Sequence, residues 1–197
     1  MTSARLRIPR VTDPDDPLFK PRLRGWSHAA MIPVVLVASV VLLVLAPTAT
    51  LRWACGVYAV TGLALFSVSA TYHLAQWNPT VSRVLKRLDH TNIMLVIAGT
   101  YTPLAACLLS RSSATLLLWL IWVGAAAGVA FRLLWTDAPR WLYTPVYVVL
   151  GLAALLYIGE FFDASAPAAV LICVGGAAYI VGAVCYALKA PTLHREW

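Results

Sequence analysis

Long uncharged segments dominate the chain. Six of them are apolar over enough residues to cross roughly 30 Å of hydrocarbon as an α-helix. Runs such as Val34-Val35-Leu36-Val37 are apolar on every side, which is typical of helices in lipid, whereas membrane β-strands alternate apolar and polar residues. The pattern predicts an all-α, polytopic bundle of membrane helices with spans at about 29–45, 54–73, 93–109, 114–131, 142–158 and 167–188.

The composition supports a membrane protein and excludes other classes. Of 197 residues, 61% are hydrophobic and 12% are charged, whereas soluble domains are about 45–50% apolar and about 25% charged. Disorder is excluded as well, because it requires low hydrophobicity and a high charge density. The six spans leave no room for a second, water-soluble domain.

Positive charge predicts the orientation of the helices. Of the 15 Lys and Arg residues, 13 fall on one side of the predicted bundle and only Arg52 and Arg111 on the other. Because cytoplasmic loops retain positive charge, both termini are expected in the cytoplasm and the protein in the cell's inner (plasma) membrane. The net charge of +7 is thus a topology signal, and no nucleic-acid partner is expected.

Residues 1–24 form a polar, basic and proline-rich segment, which we interpret as a cytoplasmic leader preceding a transmembrane domain at 25–197. A cleaved signal peptide would need an apolar stretch before the first span, and this segment contains none, so we expect no signal peptide here. Within the spans, Pro33, Pro103 and Pro145 are expected to bend their helices or open a hydrogen bond. Pro103 follows a polar patch, Gly99-Thr100-Tyr101-Thr102, so a bend there could shape a cavity.

Candidate chemistry lies where polar side chains collect at one membrane face. Ser69 and His73 are four residues apart on the second helix, and Asp89 precedes the third predicted span on the same side. Placing an imidazole and a carboxylate at membrane depth costs free energy, so their presence there indicates a functional site. A catalytic zinc takes about three protein ligands and a water, which a carboxylate can orient and a serine hydroxyl can assist.

Two simpler interpretations stay open on spacing alone. His73 and Asp89 could merely hydrogen-bond each other where the two helices meet, and Asp89 could be a helix-start charge that favours the macrodipole. A Ser-His-Asp hydrolase triad has less support, because Ser69 lies on a regular helical face without a G-x-S-x-G turn. The other histidines, His28, His90 and His194, fall on the same predicted face.

Three motifs resemble the hemolysin III family, the bacterial branch of the progestin and adiponectin receptor family. They are Ser69-Ala70-Thr71-Tyr72-His73, Arg87-Leu88-Asp89-His90 and Ile97-Ala98-Gly99-Thr100-Tyr101-Thr102-Pro103, in this order. The segment Arg24-Gly25-Trp26-Ser27-His28 is also similar to the family's entry into its first helix. The resemblance covers the chain from about residue 25 onward.

The resemblance implies seven helices, a cytoplasmic N-terminus and a zinc site on the cytoplasmic side. His73 matches a zinc ligand, Asp89 the acidic residue that holds the zinc-bound water, and Ser69 the serine one turn before the ligand. The family's other two ligands form an H-x-x-x-H pair at the start of the seventh helix, and this sequence contains no such pair. We therefore expect six helices of seven, an incomplete zinc site and possible self-association through the face of the missing helix.

Several functions are compatible with these residues. The wider group, which includes alkaline ceramidases, implies a zinc-dependent hydrolase of an amide or ester bond in a membrane lipid. Alternatives are a non-catalytic, receptor-like or membrane-homeostasis protein and, with less support, a pore-forming cytolysin or a transporter. No span carries the polar stripe of a pore, and the residues do not specify a substrate or an oligomeric state.

Overall fold

The computed structural model describes residues 22–135 and 140–188. Within these ranges six helical segments are long and apolar enough to cross a membrane, which confirms the predicted all-α architecture with six spans. The elements are α1 (Arg22–Leu45), α2 (Ala49–Leu74), α3 (Pro79–Leu108), α4 (Arg111–Leu134), α5 (Arg140–Gly151), a 3₁₀ helix (Ala153–Tyr157), α6 (Ile158–Ala164) and α7 (Ala166–Leu188). The fifth span consists of α5, the 3₁₀ helix and α6.

Short polar caps set where three of the helices begin. The Thr48 side chain accepts a hydrogen bond from the amide of Leu51 at the start of α2. Asn78 caps α3 in the same way, and the Ser110 side chain caps α4. Each cap satisfies an amide that has no partner within its own helix, so the connections stay short.

Two helices begin earlier than their apolar spans. α1 is already helical at Arg22, so the last residues assigned to the leader belong to the helix, while the rest of the leader lies outside the described residues. α3 begins at Pro79 because Asn78 caps it and Pro79 occupies the first turn, where its missing N–H costs nothing. Hydropathy alone misses both starts, since arginines occupy the first turn of α1 and Thr80, Ser82 and Arg83 lie at the start of α3.

α3 is the central helix of the bundle. It packs against α2 on one side and α4 on another, and it also contacts α5 and α6. At its closest approach to α2, a Cβ added at Gly99 would lie 2.0 Å from Thr61 Oγ1. On the α4 side, Gly128 packs against the Met94 side chain. Small residues at such contacts let membrane helices approach closely.

The apolar core lies between α3, α4 and the fifth span. Its most buried side chains include Met94 and Tyr101 from α3, Leu117 and Ile121 from α4, and Phe161 from α6. The outward faces are apolar too, with Trp53, Val44 and Leu134 among the exposed side chains. In a membrane these faces contact lipid, so their exposure is consistent with the six spans.

Helices continue through all three internal prolines, so none of them ends a helix. The interruption in the fifth span instead falls after Gly151, six residues beyond Pro145. There the Tyr101 hydroxyl donates to the carbonyl of Gly151 (2.7 Å) and accepts from the amide of Ala154 (2.9 Å). The irregular backbone thus lies where a neighbouring helix supplies its hydrogen bonds, as membrane depth requires.

Candidate functional site

The end of α2 brings a hydroxyl and an imidazole into the bundle. Ser69 and His73 are one turn apart on the face of α2 that packs against α1 and α3, because residues at i and i+4 share a helix face. Ser69 is completely buried and His73 is 8% exposed. The sequence-predicted pair therefore faces the protein interior.

α3 places a carboxylate opposite that imidazole. Asp89 is 2% exposed, and its Oδ2 lies 3.9 Å from Nε2 of His73. Nearby, the Asn92 side chain donates to the carbonyl of Ala64 on α2, which fixes the register between the two helices. The structure thus brings His73 and Asp89 together at a distance longer than a direct hydrogen bond.

α1 forms a third side of the site, a contribution that sequence reasoning did not assign. Arg24 Nη2 lies 3.9 Å from Asp89 Oδ2, and the Arg24 side chain is 40% exposed. A Cβ at Gly25 would meet Leu74 at 2.9 Å and His73 Cβ at 3.0 Å, so only glycine allows this approach. We call Arg24, Ser69, His73 and Asp89 the polar cluster.

His28 lies one turn after Arg24 and faces the same neighbours. Its ring is edge-on to Phe66 of α2, with ring centroids 5.3 Å apart. The spacing of Arg24 and His28 at i and i+4 is the signal that would have placed both residues on one face of α1. Sequence reasoning noted Arg24 as part of the entry into the first helix and His28 also as one of the histidines on one membrane face, without pairing them.

Several buried polar atoms around the cluster lack a hydrogen-bond partner among the described residues. They are Ser69 Oγ, Asp89 Oδ1 and His28 Nδ1. Buried polar atoms are nearly always satisfied in native proteins, so a group of exceptions in one place indicates a bound water, ion or ligand. The donors and acceptors here come from three different helices.

His90 projects away from the cluster. Asp89 and His90 are adjacent on α3 and so project about 100° apart. His90 Nδ1 lies 2.6 Å from the carbonyl oxygen of Lys86, and buried Arg132 of α4 is close enough to act on it electrostatically. His194 lies outside the described residues.

The donor set fits one part of a zinc site. An imidazole and a buried carboxylate lie 3.9 Å apart, longer than a direct hydrogen bond, and Asp89 Oδ1 has no described partner. Within residues 22–135 and 140–188, however, no three His, Cys, Asp or Glu side chains lie close enough to hold a metal ion. A catalytic zinc needs about three protein ligands, so the others would have to come from outside the described residues.

Comparison with known proteins assigns the chain to a family. The family model described as "Haemolysin-III related" matches residues 17–196, nearly the whole chain. The chain belongs to the haemolysin-III-related family. This confirms the resemblance drawn from the motifs around His73, Asp89 and Tyr101.

The haemolysin-III relatives include bacterial and animal proteins. The chain is 30% identical over 143 residues to Hemolysin-3 of Bacillus cereus, covering 72% of this chain and 65% of that relative. It is 29% identical over 143 residues to the Hemolysin-3 homolog of Bacillus subtilis (strain 168), covering 72% of this chain and 67% of the relative. The Homo sapiens monocyte to macrophage differentiation factor is 25% identical over 178 residues, covering 87% of this chain and 74% of the relative. No solved structure matches the chain at a significant level.

Proposed function

We propose that this haemolysin-III family member is a zinc-dependent hydrolase that cleaves an amide or ester bond in a membrane lipid. The observation that carries the proposal is the group of buried polar atoms without described partners, Ser69 Oγ and Asp89 Oδ1, beside the imidazole of His73. Ionisable side chains at membrane depth are costly and are retained where they serve function. Because the cluster lies between membrane spans, the accessible substrate class is membrane lipid.

Each residue of the cluster has a distinct role in this proposal. His73 would hold zinc through a ring nitrogen, and zinc would supply a Lewis acid and a bound water with a pKa near 7. With zinc bound, Asp89 would accept a hydrogen bond from that water and orient it. The Ser69 hydroxyl would donate to the oxygen on which negative charge develops, and Arg24 would offset the charge of Asp89.

The metal content of the protein tests the ligand assignment without reference to any substrate. Since no three His, Cys, Asp or Glu side chains among the described residues lie close enough to hold a metal ion, we expect the 197-residue chain to retain zinc well below one per chain. Fusing a further helix that begins with H-x-x-x-H should raise zinc toward one per chain, and His73→Ala should remove it. His90→Ala is the matched control, because its ring already contacts the Lys86 carbonyl. Equal zinc in the fused protein and its His73→Ala variant would contradict the assignment.

The catalytic proposal is tested with lipid probes. The fused protein in phosphatidylglycerol vesicles would be given a short-chain fluorescent ceramide, as the amide probe, or a fluorescent phospholipid, as the ester probe. Asp89→Asn should abolish cleavage while leaving most of the metal bound, and a chelator should have the same effect on activity. Asp163→Asn makes the same chemical change on an exposed residue of α6 and should leave activity intact. Full activity in Asp89→Asn would favour a structural role for this carboxylate.

The cytoplasmic placement of the site is part of the proposal and rests on the distribution of Lys and Arg. Reporter fusions after Ala49, Ser112 and Ala164 should report outside, and fusions after Thr80, Asp137 and Lys189 should report inside. The segment with Arg83, Lys86 and Arg87 is decisive, because it leads directly into Asp89. An outside signal after Thr80 would place the polar cluster on the opposite side.

A receptor-like or membrane-homeostasis protein is the second candidate. The observation in its favour is that no three His, Cys, Asp or Glu side chains among the described residues lie close enough to hold a metal ion, which leaves the cluster short of a catalytic zinc set. In that case lipid or another ligand would bind the polar cluster without turnover. Failure to cleave either probe, together with stoichiometric zinc in the fused protein, would favour this candidate. Lysis of red cells by purified protein separately tests the activity named in the Bacillus relatives.

A further inference from the structure

The interruption of the fifth span is not explained by its local sequence. Residues 152–156 read Leu-Ala-Ala-Leu-Leu, which are strong helix formers. Pro145 lies within a regular stretch of α5, well before the interruption, and the two helix-weakening residues, Gly151 and Gly159, flank the stretch without lying in it. A contact from another helix must therefore favour the interrupted form.

Tyr101 provides that contact. In a continuous α-helix, the Gly151 carbonyl would accept from the Leu155 amide, and the Ala154 amide would donate to the Leu150 carbonyl. In the structure, the Leu155 amide donates to Leu152 instead. The Tyr101 hydroxyl takes over at both vacated positions, donating to Gly151 and accepting from Ala154.

We propose that Tyr101 is a latch that holds the fifth membrane helix in an interrupted conformation, which the same sequence would otherwise exchange for a continuous helix. Tyr101 is 5% exposed and lies in the C-terminal third of α3, so its hydroxyl reaches the fifth span without solvent competition. This inference does not depend on the proposed hydrolase activity. It assigns a role to the polar Gly99-Thr100-Tyr101-Thr102 patch, which the polar cluster does not use.

The latch sets the length and rotation of the fifth span. A 3₁₀ helix rises about 2.0 Å and turns about 120° per residue, compared with about 1.5 Å and about 100° in an α-helix. Converting the five residues Ala153–Tyr157 to α-helix would shorten the span by about 2.5 Å. It would also rotate α6 by about 100° relative to α5.

The position of Glu160 depends on that geometry. Its carboxylate accepts hydrogen bonds from the Ser110 amide and the Ser113 hydroxyl, which ties α6 to the first turn of α4. A rotation of about 100° would turn Glu160 away from both partners. The hydroxyl of Tyr101 and the carboxylate of Glu160 thus stabilise the same interrupted conformation from two ends.

Distances between spin labels test the latch. Labels at Val146→Cys and Ala164→Cys, two exposed positions on either side of the interruption, would be introduced with Cys55, Cys107, Cys173 and Cys185 replaced by alanine. A reference pair at Trp53→Cys and Thr71→Cys has the same 18-residue separation within continuous α2, where five full turns place both labels on one side of the helix. With Tyr101 present, we expect the first pair to be at least about 2.5 Å farther apart than the reference pair, because the axial lengthening and the rotation of about 100° both separate the labels.

Tyr101→Phe removes only the hydroxyl, and we expect the Val146–Ala164 pair to shorten toward the reference distance. Tyr58→Phe, on half-buried Tyr58 of α2, is the matched control and should leave the distance unchanged. An unchanged distance in folded Tyr101→Phe would overturn the latch. Equal distances for the two pairs in the Tyr101 protein would overturn it as well, and that comparison does not require the variant to fold.

Discussion

The polar cluster and the Tyr101 contact are both buried polar arrangements on α3, and they differ in how fully their atoms are paired. At the Tyr101 contact, one hydroxyl makes two short hydrogen bonds of 2.7 and 2.9 Å. In the polar cluster, Asp89 lies 3.9 Å from both His73 and Arg24, and Ser69 Oγ has no described partner. Saturated pairing is typical of a structural contact, whereas unsatisfied pairing is typical of a site that binds something.

The two arrangements also face different neighbours. Tyr101 follows Asp89 by 12 residues, which places it about 18 Å farther along α3 and about 120° around the axis. Asp89 therefore faces α1 and α2, while Tyr101 faces the fifth span. The polar cluster and the Tyr101 contact thus lie on different faces of one helix, so mutations can change one without touching the other.

Gly99→Ala is expected to cause the largest effect, because it lies between the two regions. Its new Cβ would lie 2.0 Å from Thr61 Oγ1 and 3.0 Å from Thr61 Cβ, so α2 must move away from α3. Overpacking of this kind should lower the free energy of unfolding by about 2–3 kcal/mol, measured by denaturation in detergent.

Gly176→Ala on α7 is the control for Gly99→Ala, because no atom lies within 4 Å of its new Cβ. This change should be neutral or slightly stabilising, since alanine favours helix over glycine. Adding Thr61→Ala to Gly99→Ala should restore part of the lost stability. Equal stability of Gly99→Ala and Gly176→Ala would contradict the close approach of α2 and α3.

Tyr101→Phe is the next largest expected effect and probes the saturated region. Loss of the hydroxyl removes two hydrogen bonds, and the free energy of unfolding should fall by about 1–2 kcal/mol. Re-formation of backbone hydrogen bonds in a continuous helix limits the loss. For Tyr58→Phe, the free energy of unfolding should stay within about 0.5 kcal/mol of wild type, as is usual for a substitution that removes no buried hydrogen-bond network. A Tyr101→Phe protein as stable as that control would indicate that the hydroxyl contributes no net stability.

The sequence predicts the six spans because each apolar segment is long and charge-free. Length and apolar composition are sufficient to identify a helix that crosses lipid. It also predicts that Ser69 and His73 share a face, since helical spacing alone determines this. The helix break after Gly151 could not be predicted, because the stretch 152–156 favours helix and the responsible hydroxyl belongs to residue 101.

The contribution of α1 to the site escaped prediction for a related reason. Arg24 and Gly25 precede the apolar part of the first span and were interpreted as the end of the leader or the entry to the helix. Their contacts with Asp89 and His73 depend on how α1 packs against α2 and α3, which a hydropathy pattern does not contain. The role of His73 as a zinc ligand and the ligands beyond it remain predictions, since among the described residues no three His, Cys, Asp or Glu side chains lie close enough to hold a metal ion.

Arg24→Gln tests whether Asp89 relies on α1 for charge compensation. Half-exposed ion pairs contribute little, and at 3.9 Å we expect the coupling between Arg24 and Asp89 to be about 1 kcal/mol. A double-mutant cycle with Asp89→Asn isolates this coupling in the free energy of unfolding. Arg24→Lys should retain part of it. If Arg24→Gln lowers the free energy of unfolding by the same amount in wild type and in the Asp89→Asn variant, the two side chains are not coupled.

Ser69→Ala is expected to have the smallest effect on stability. Its hydroxyl is completely buried and forms no hydrogen bond with the described residues, so removing it should change the free energy of unfolding by less than about 0.5 kcal/mol, or increase it. Ser39→Ala is matched, because Ser39 Oγ on α1 is also buried without a described partner. Both variants should be as stable as wild type.

Only Ser69→Ala should reduce cleavage of the lipid probes, since Ser69 alone adjoins His73. A destabilisation of 1–3 kcal/mol in Ser69→Ala would instead mean that the hydroxyl has a structural partner, and the contrast between an unsatisfied site and a saturated contact would no longer hold.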